Sequence, residues 1–373
     1  MSPESAASWM KHCLSLAANA DSATSPNPRV GCVILSPDGA LLGEGWHKHA
    51  GGAHAEREAM DQVRSRYGSD ALHGAALVVN LEPCNHQGRT PACTRNILSA
   101  GIAHVIVGMR DPNPTAAGGI DQLRSANVSV MTDVLKAQCY RFNEAFVHRH
   151  TKEAPFVTLK LAQTLDGCIA TATGESQWIT GKAARKLVHV WRREHDAILI
   201  GSGTARTDDP RLTVRHVPGT QPWRIVLDGQ GRLPDTLKMF TDEWVSKTIV
   251  VVAHKSSPAY ADRLQKRGGR LITAQSKGNH VALPTLIRLL GRDLSIQSLL
   301  VEAGPGLASA LLKQDLVDRL RLFIAPKLIG NGLRGVGDLG VHKLDQSKVF
   351  GEYSWEMVGG DQLFTGYKHL VPA

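Results

Sequence analysis

The sequence predicts an α/β protein of two domains, and three observations predict it. The chain is 373 residues long, more than one hydrophobic core usually organises. Short apolar runs ending in Gly, Asp, Asn or Pro alternate with amphipathic stretches, the pattern of strands joined by helices. That pattern pauses at the polar segment HRHTKEAP (His148 to Pro155) and then starts again. The expected division is a first domain over residues 1–147, a linker over 148–155 and a second domain over 156–373.

The elements follow in order. Trp9, Cys13, Leu16 and Ala17 share one face of an amphipathic first helix. The apolar stretch before Ala18-Asn19-Ala20 is too short, and Glu4 too early, for a secretory signal. VGCVILSP and ALLGEGWH flank the turn Pro37-Asp38-Gly39 and read as a hairpin. A helix is expected over His54–Arg66, then a buried strand AALVVNL and a short helix CTRNILSAG stopped by Gly101. The strands HVIVGM and VSVMT follow, with a helix near Gly119–Ala126 between them and a helix from Asp133 to His150 after them. Past the linker, PFVTLKLAQTLDG, DAILIGSG, WRIVLDG, TIVVVAH, LLVEAGPG and RLRLFIAP read as strands ending in loops.

Composition excludes several classes. With 42% hydrophobic and 21% charged residues the chain can pack a core in each half. No run approaches bilayer-spanning length, so the expectation is a cytoplasmic protein with no membrane partner. Six cysteines in 373 residues are too sparse for a disulfide scaffold, and a close pair reads better as metal ligands. The net charge of +9 is spread along the chain and suits anionic partners. Phosphorylated small molecules fit it without nucleic acid, because basic residues interleaved with aromatic ones are absent.

The stretch LEPCNHQGRTPAC puts eight residues between Cys84 and Cys93, which stand at a strand end and a helix start. His54-Ala55-Glu56 opens the preceding helix. Strand ends and helix starts meet where open α/β sheets place their sites. One imidazole (His54) and two thiolates (Cys84, Cys93) make three ligands for one Zn²⁺ and leave a corner for water, as catalytic zinc requires. Glu56 is then placed as the proton carrier and is not expected to be a ligand. His86, His47 and His49 are rival ligands, and only His54 has a Glu at the right step. A closed structural site, with His86 or His49 as fourth ligand, is the bland alternative. A nucleic-acid base deaminase with an accessory domain is another, since H-x-E with Pro-Cys…Cys is the general signature of zinc deaminases.

In the second half, Gly304-Pro305-Gly306 and Gly201-Ser202-Gly203 each follow an apolar strand, and free N–H groups at such turns bind phosphate. The acid that a dinucleotide fingerprint places at the end of the next strand is missing, so a nucleotide site of another type is expected.

TSPNPRVGCVI, HAERE and LEPCNHQGRTPAC with its long insert resemble the deaminase half of the bifunctional riboflavin-biosynthesis deaminase/reductases. LKLAQTLDG, TGESQWIT, ILIGSGTARTDDPRLTVR, RIVLD, VEAGPGLASALL and FIAPKLIG resemble that family's reductase half. The resemblance implies a cytidine-deaminase-like three-layer sandwich followed by a dihydrofolate-reductase-like domain, usually assembled as a homo-oligomer such as a dimer. It implies hydrolytic deamination of 2,5-diamino-6-ribosylamino-4(3H)-pyrimidinone 5′-phosphate by zinc-bound hydroxide, then NADPH-dependent reduction of the ribosyl group to ribityl. By matched position it implies cofactor contacts at Ala162, Trp178, Thr204, Asp228, Gly304, Pro305, Gly306, Leu307, Ala308, Ser309 and Ala310. Substrate contacts are implied at Asn27, Ser176, Arg192, Asp208, Leu212, Arg215 and Glu302. Arg192 and Arg215 would fork onto the ribose phosphate, Arg29 is a further candidate in the loop with Asn27, and Lys160 or Asp208 would move a proton.

Overall fold

A strand that is apolar at every position must be covered on both faces, and Gly31–Leu35 is buried at all five. The computed structural model of the chain, which describes residues 2–86, 91–253, 258–278 and 280–369, covers it on both sides. The chain divides into two units, the first running to Lys152 and the second beginning at Glu153.

In the first unit the elements run α1 (Pro3–Ala17), β1 (Gly31–Leu35), β2 (Leu41–Trp46), α2 (Ala55–Tyr67), β3 (Ala76–Val79), α3 (Cys93–Ser99), β4 (His104–Val107), α4 (Gly119–Ser125), β5 (Ser129–Met131), α5 (Lys136–Phe142) and α6 (Glu144–Lys152). The sheet order is β2-β1-β3-β4-β5. β1 is antiparallel to both neighbours, while β3, β4 and β5 run parallel. Alternate residues serve opposite layers: Cys32 and Ile34 pack with Ala59, Met60 and Val63 of α2, whereas Val33 and Leu35 pack with Met10 and Cys13 of α1. This is the expected three-layer sandwich. On α1 the buried stripe is Ala6, Met10, Cys13, Leu16 and Ala17, with Trp9 half-buried at its margin.

Two expectations about the end of this unit need correction. The single helix from Asp133 to His150 is two helices that part at Asn143, whose side chain instead bonds the backbone N–H and C=O of Arg29. The polar residues His148–Lys152 do not form a linker. They extend α6, which buries Glu144, Phe146 and Val147, leaves His148–His150 half-buried and exposes Thr151 and Lys152, so polarity here marks the outer side of a helix. Glu153, Ala154 and Pro155 remain between α6 and the next strand.

The second unit continues with β6 (Phe156–Thr164), β7 (Cys168–Ala170), α7 (Lys182–Glu194), β8 (Ala197–Gly201), α8 (Ser202–Asp208), β9 (Trp223–Leu227), α9 (Lys238–Thr241), β10 (Thr248–Val252), α10 (Pro258–Lys266) and β11 (Arg270–Thr273). After these come β12 (Ser276–Lys277), β13 (His280–Val281), α11 (Leu283–Leu294), β14 (Ser298–Glu302), α12 (Pro305–Lys313), β15 (Arg319–Ala325), β16 (Leu333–Arg334), β17 (Glu352–Val358) and β18 (Asp361–Tyr367). Nine strands form one sheet in the order β11-β10-β9-β8-β14-β6-β15-β18-β17. The pairings from β11 across to β15 are parallel, and β18 and β17 add an antiparallel edge. Leu159, Leu199 and Val301 pack under α11 and α12, while Leu300 and Phe323 pack under Ala184, Val188 and Trp191 of α7. Residues 87–90 of the cysteine insert, the final His of TIVVVAH and the last four residues of the expected second domain lie outside the described residues. Among the described residues no helix is long and apolar enough to cross a membrane.

Candidate metal centre and reductase cleft

His54 is the residue before α2 and Glu56 lies in its first turn, while Cys93 opens α3. Cys84 follows β3 by a few residues, at the same end of the sheet. The ligand atoms of His54, Cys84 and Cys93 all lie within 4.8 Å of one another. His54 Nδ1 is 3.2 Å from Cys93 Sγ and 3.5 Å from Cys84 Sγ, and the Cys93 backbone N–H donates to Cys84 Sγ at 3.4 Å. A tetrahedral zinc with bonds of about 2.0 Å to nitrogen and about 2.3 Å to sulfur sets N···S edges near 3.5 Å, so the donor set and its spacing fit that ion.

The electrostatics divide the two sulfurs, favouring the thiolate at Cys84 while the bond to Cys84 and burial push the Cys93 thiol up. Hydrogen bonding from the Cys93 thiol, then from His54, holds the Cys84 thiol well below its ordinary range. His54 is raised in turn, chiefly by its bond to Cys84. Glu56 is 4% exposed and meets the Cys93 thiol, and burial pushes its carboxyl above the usual range. It stands beside the three donors without being one of them.

The rival histidines stand outside the donor group. The His47 ring lies edge-on to His54 at 5.6 Å, its Nδ1 donates to Ala53 O at 2.8 Å, and its Nε2 faces Asn27 Nδ2 at 3.2 Å. Burial keeps His47 neutral, and through it Asn27 is tied to the rim of the centre. His49 is exposed, and neither it nor His86 joins the donor group. Arg29 corrects an expectation: its guanidinium lies 4.4 Å over the Phe142 ring and donates to Phe142 O, so it holds the chain rather than facing the centre.

Sequence reasoning overlooked two buried polar residues that shape this site. Glu82, 4% exposed, accepts from the N–H groups of Asp111, Gly118 and Ile120 and thereby fixes the loop carrying Asp111 to Pro114. Asn80, fully buried, accepts from Gly31 N and donates to Arg29 O. The available signal was their polarity inside the apolar run ALVVNLEPC, since buried polar groups are there to be bonded.

In the second unit β8 and β14 are adjacent and parallel, so their two glycine loops meet at one sheet edge. A Cβ on Gly304 would sit 3.2 Å from Thr204 Oγ1. The cleft beyond these loops measures about 1810 Å³. Ala162, Ser176, Trp178, Thr204, Asp208 and Leu212 line it, as do Arg192, Arg215, Asp228, Glu302, Gly304–Leu307, Ala310 and Lys160. Trp178 is 60% exposed, and Arg185 stacks 4.4 Å over its ring.

Several expected contacts differ. Ala308 is fully buried in the core, and the Ser309 hydroxyl donates to Pro305 O and accepts from Gly337 N; neither lines the cleft, because α12 turns them away from it. Asp228 lines the cleft, but its Oδ2 accepts from Leu233 N and the Tyr260 hydroxyl. Arg192 does not offer a free fork: Nε and Nη2 bind the two Glu302 oxygens at 2.6 and 2.8 Å, and Nη1 donates to Thr213 O. Burial disfavours both the Lys160 ammonium and the Asp208 carboxylate, and the opposite charge of each partly restores the other.

A donor set for zinc at the helix starts of one unit, and a cleft at the strand ends of a parallel sheet in the other, define a class: a zinc-type deaminase joined to a reductase. Comparisons agree at both ends. Residues 3–109 match the cytidine and deoxycytidylate deaminase zinc-binding region, and residues 155–355 match the RibD C-terminal domain. The riboflavin biosynthesis protein RibD of Aquifex aeolicus is 41% identical over 95% of this chain and 96% of that one. The structure of Acinetobacter baumannii RibD, form 1, superposes with a TM-score of 0.86 at 33% identity, covering 98% of this chain and 99% of the other. A Thermotoga maritima diaminohydroxyphosphoribosylaminopyrimidine deaminase/5-amino-6-(5-phosphoribosylamino)uracil reductase superposes at 0.85 with 33% identity and the same coverage. The chain belongs to the RibD family of bifunctional riboflavin biosynthesis enzymes.

Proposed function

We propose that the first unit deaminates 2,5-diamino-6-ribosylamino-4(3H)-pyrimidinone 5′-phosphate and that the second reduces the ribosyl group of the product with NADPH. The observation that carries this reading is the His54–Cys84–Cys93 donor set with a buried carboxylic acid, Glu56, at its side. A single zinc ion held by those three side chains of the first unit would supply Lewis-acid activation of water. Glu56 takes one proton of the attacking water and delivers it to the pyrimidine ring nitrogen, then passes the remaining hydroxyl proton to the amino group, which departs as ammonia when its C–N bond breaks. Its raised carboxyl suits a group that must carry a proton in both directions. Asn27, braced by His47, holds the pyrimidine edge.

In the second unit Ala162, Trp178, Thr204, Gly304–Leu307 and Ala310 would hold the cofactor, which would supply the reducing hydride to C1′ of the sugar. The bond from C1′ to the ring oxygen breaks, and that oxygen takes a proton from Lys160 or Asp208. Because Glu302 occupies the Arg192 fork, the phosphate falls to Arg215, which stands exposed in the cleft with Arg192 and Arg211 nearby. Ser176 and Leu212 line the remainder of the substrate's place. The family analogy adds a homodimer as the working assembly.

The test is the order of events. With the ribotide alone, the purified protein should release ammonia; NADPH oxidation should then follow only after that release. NADPH consumed before ammonia appears would overturn the assignment of steps, and protein lacking zinc that still deaminates would overturn the metal centre.

A further inference from the structure

The segment Thr213–Arg215 enters the reductase cleft without pairing to any strand among the described residues, so its backbone groups need other partners. Side chains supply them from both sides. Gln221 accepts from Val214 N at 2.8 Å and donates to Val214 O at 2.9 Å. From the opposite side, Arg192 Nη1 donates to Thr213 O at 3.1 Å, and His189 Nδ1 accepts from Arg215 N at 3.2 Å. His189 and Arg192 are three apart on α7 and therefore share a face, while Thr213 and Arg215 are two apart on the extended segment and share a side. The helix thus grips alternate residues of the segment. Thr213 and Val214 are buried, and Arg215 emerges exposed at the end of the grip.

His189 is 5% exposed and lines the cleft. Its ring orientation is set by His216, which lies edge-on at 4.4 Å. To accept from Arg215 N, the Nδ1 must be unprotonated. Burial, then the neighbouring Arg192 and Arg215 charges and His216, hold the imidazole in that form against the opposing pull of Glu302.

We propose that His189 is a positioning residue of the reductase, whose Nδ1 holds the Arg215 backbone so that the Arg215 guanidinium meets the substrate's phosphate. This rests on the reading of Arg215 as the phosphate contact, and the experiment separates the two. Full-length His189→Leu, His189→Asn, Arg215→Ala and the Leu/Ala double variant are assayed for NADPH oxidation with the deaminated ribotide, and both KM values and kcat are recorded.

His189→Leu should raise the ribotide KM about tenfold, the scale of one lost buried hydrogen bond, with kcat within about twofold and the NADPH KM unchanged. His189→Asn, whose side-chain oxygen accepts where Nδ1 did, should restore most of the loss. The double variant should be no worse than Arg215→Ala alone, because the two changes remove one interaction. If His189→Leu fails to give a cooperative melting transition, His189→Phe replaces it, keeping a flat ring without an acceptor. A ribotide KM unmoved by His189→Leu but raised by Arg215→Ala overturns the positioning role alone. A KM unmoved by Arg215→Ala overturns the phosphate reading and this proposal with it. A general loss, with the NADPH KM rising too and no rescue by Asn, assigns His189 to the fold and overturns the proposal.

Discussion

Removing Glu302 should destabilise the second unit by more than its loss of packing. The Arg192–Glu302 pair is bidentate at 2.6 and 2.8 Å, with side-chain exposures of 10% and 14%. Glu302→Ala leaves a buried guanidinium whose remaining acceptor is Thr213 O, beside the Lys160 and Arg215 charges. Breaking a buried pair from one side costs about 3–5 kcal/mol, and the slight exposure here argues for about 3. At about 2–4 °C per kcal/mol for a domain of this size, Tm should fall by about 6–12 °C. The pair also has a pH signature. Burial raises the Glu302 carboxyl, but Arg192 and Lys160 outweigh it and hold it below the ordinary range. A carboxyl depressed in the folded state contributes stability above its unfolded pKa of about 4.3 and loses it as pH falls through the folded value. The Tm gap between wild type and Glu302→Ala should therefore stay constant from neutral pH to about 5 and close below about 4. Calorimetry of the ligand-free full chain measures both. The Arg192→Met/Glu302→Leu double variant, which buries no orphaned charge, should melt closer to wild type than either single variant. A Glu302→Ala protein melting within about 2 °C of wild type would refute the reasoning, since one lost charge-assisted bond alone exceeds that.

Four further outcomes are expected. Glu56→Gln should keep its zinc by elemental analysis while ammonia release falls by about 10²-fold or more; unchanged turnover would make the metal site structural. Gly119→Ala puts a Cβ 1.9 Å from Pro83 O, next to Cys84, so the first unit should lose about 1–3 kcal/mol and give up zinc faster to a chelator. Gly306→Ala, with no atom within 4 Å of the added Cβ, should melt like wild type. Trp178→Ala removes the flat face that Arg185 backs and should raise the NADPH KM by about threefold to tenfold without slowing deamination, and an unchanged KM would remove Trp178 from the cofactor site.

Local chemistry made much of this protein legible in advance. The strand–helix alternation, the layers over β1 and the trio His54, Cys84 and Cys93 follow from periodicity and from what a metal demands of its donors. The glycine loops after β8 and β14 were visible as separate signals. Their meeting was not, because strand order is set by long-range pairing between residues about a hundred positions apart. The same limit hid the partner of Arg192. A sequence shows an arginine able to fork onto phosphate, and only the sheet brings Glu302 against it, while Arg215 lines the cleft exposed. His148–Lys152 misled for the converse reason: a solvated helix face and a linker have one composition, and the packing of Phe146 and Val147 decides between them. Residue type and spacing determined which chemistries were within reach, whereas tertiary packing decided which of those groups stay unspent, because a charged side chain can satisfy one buried partner or one ligand and not both.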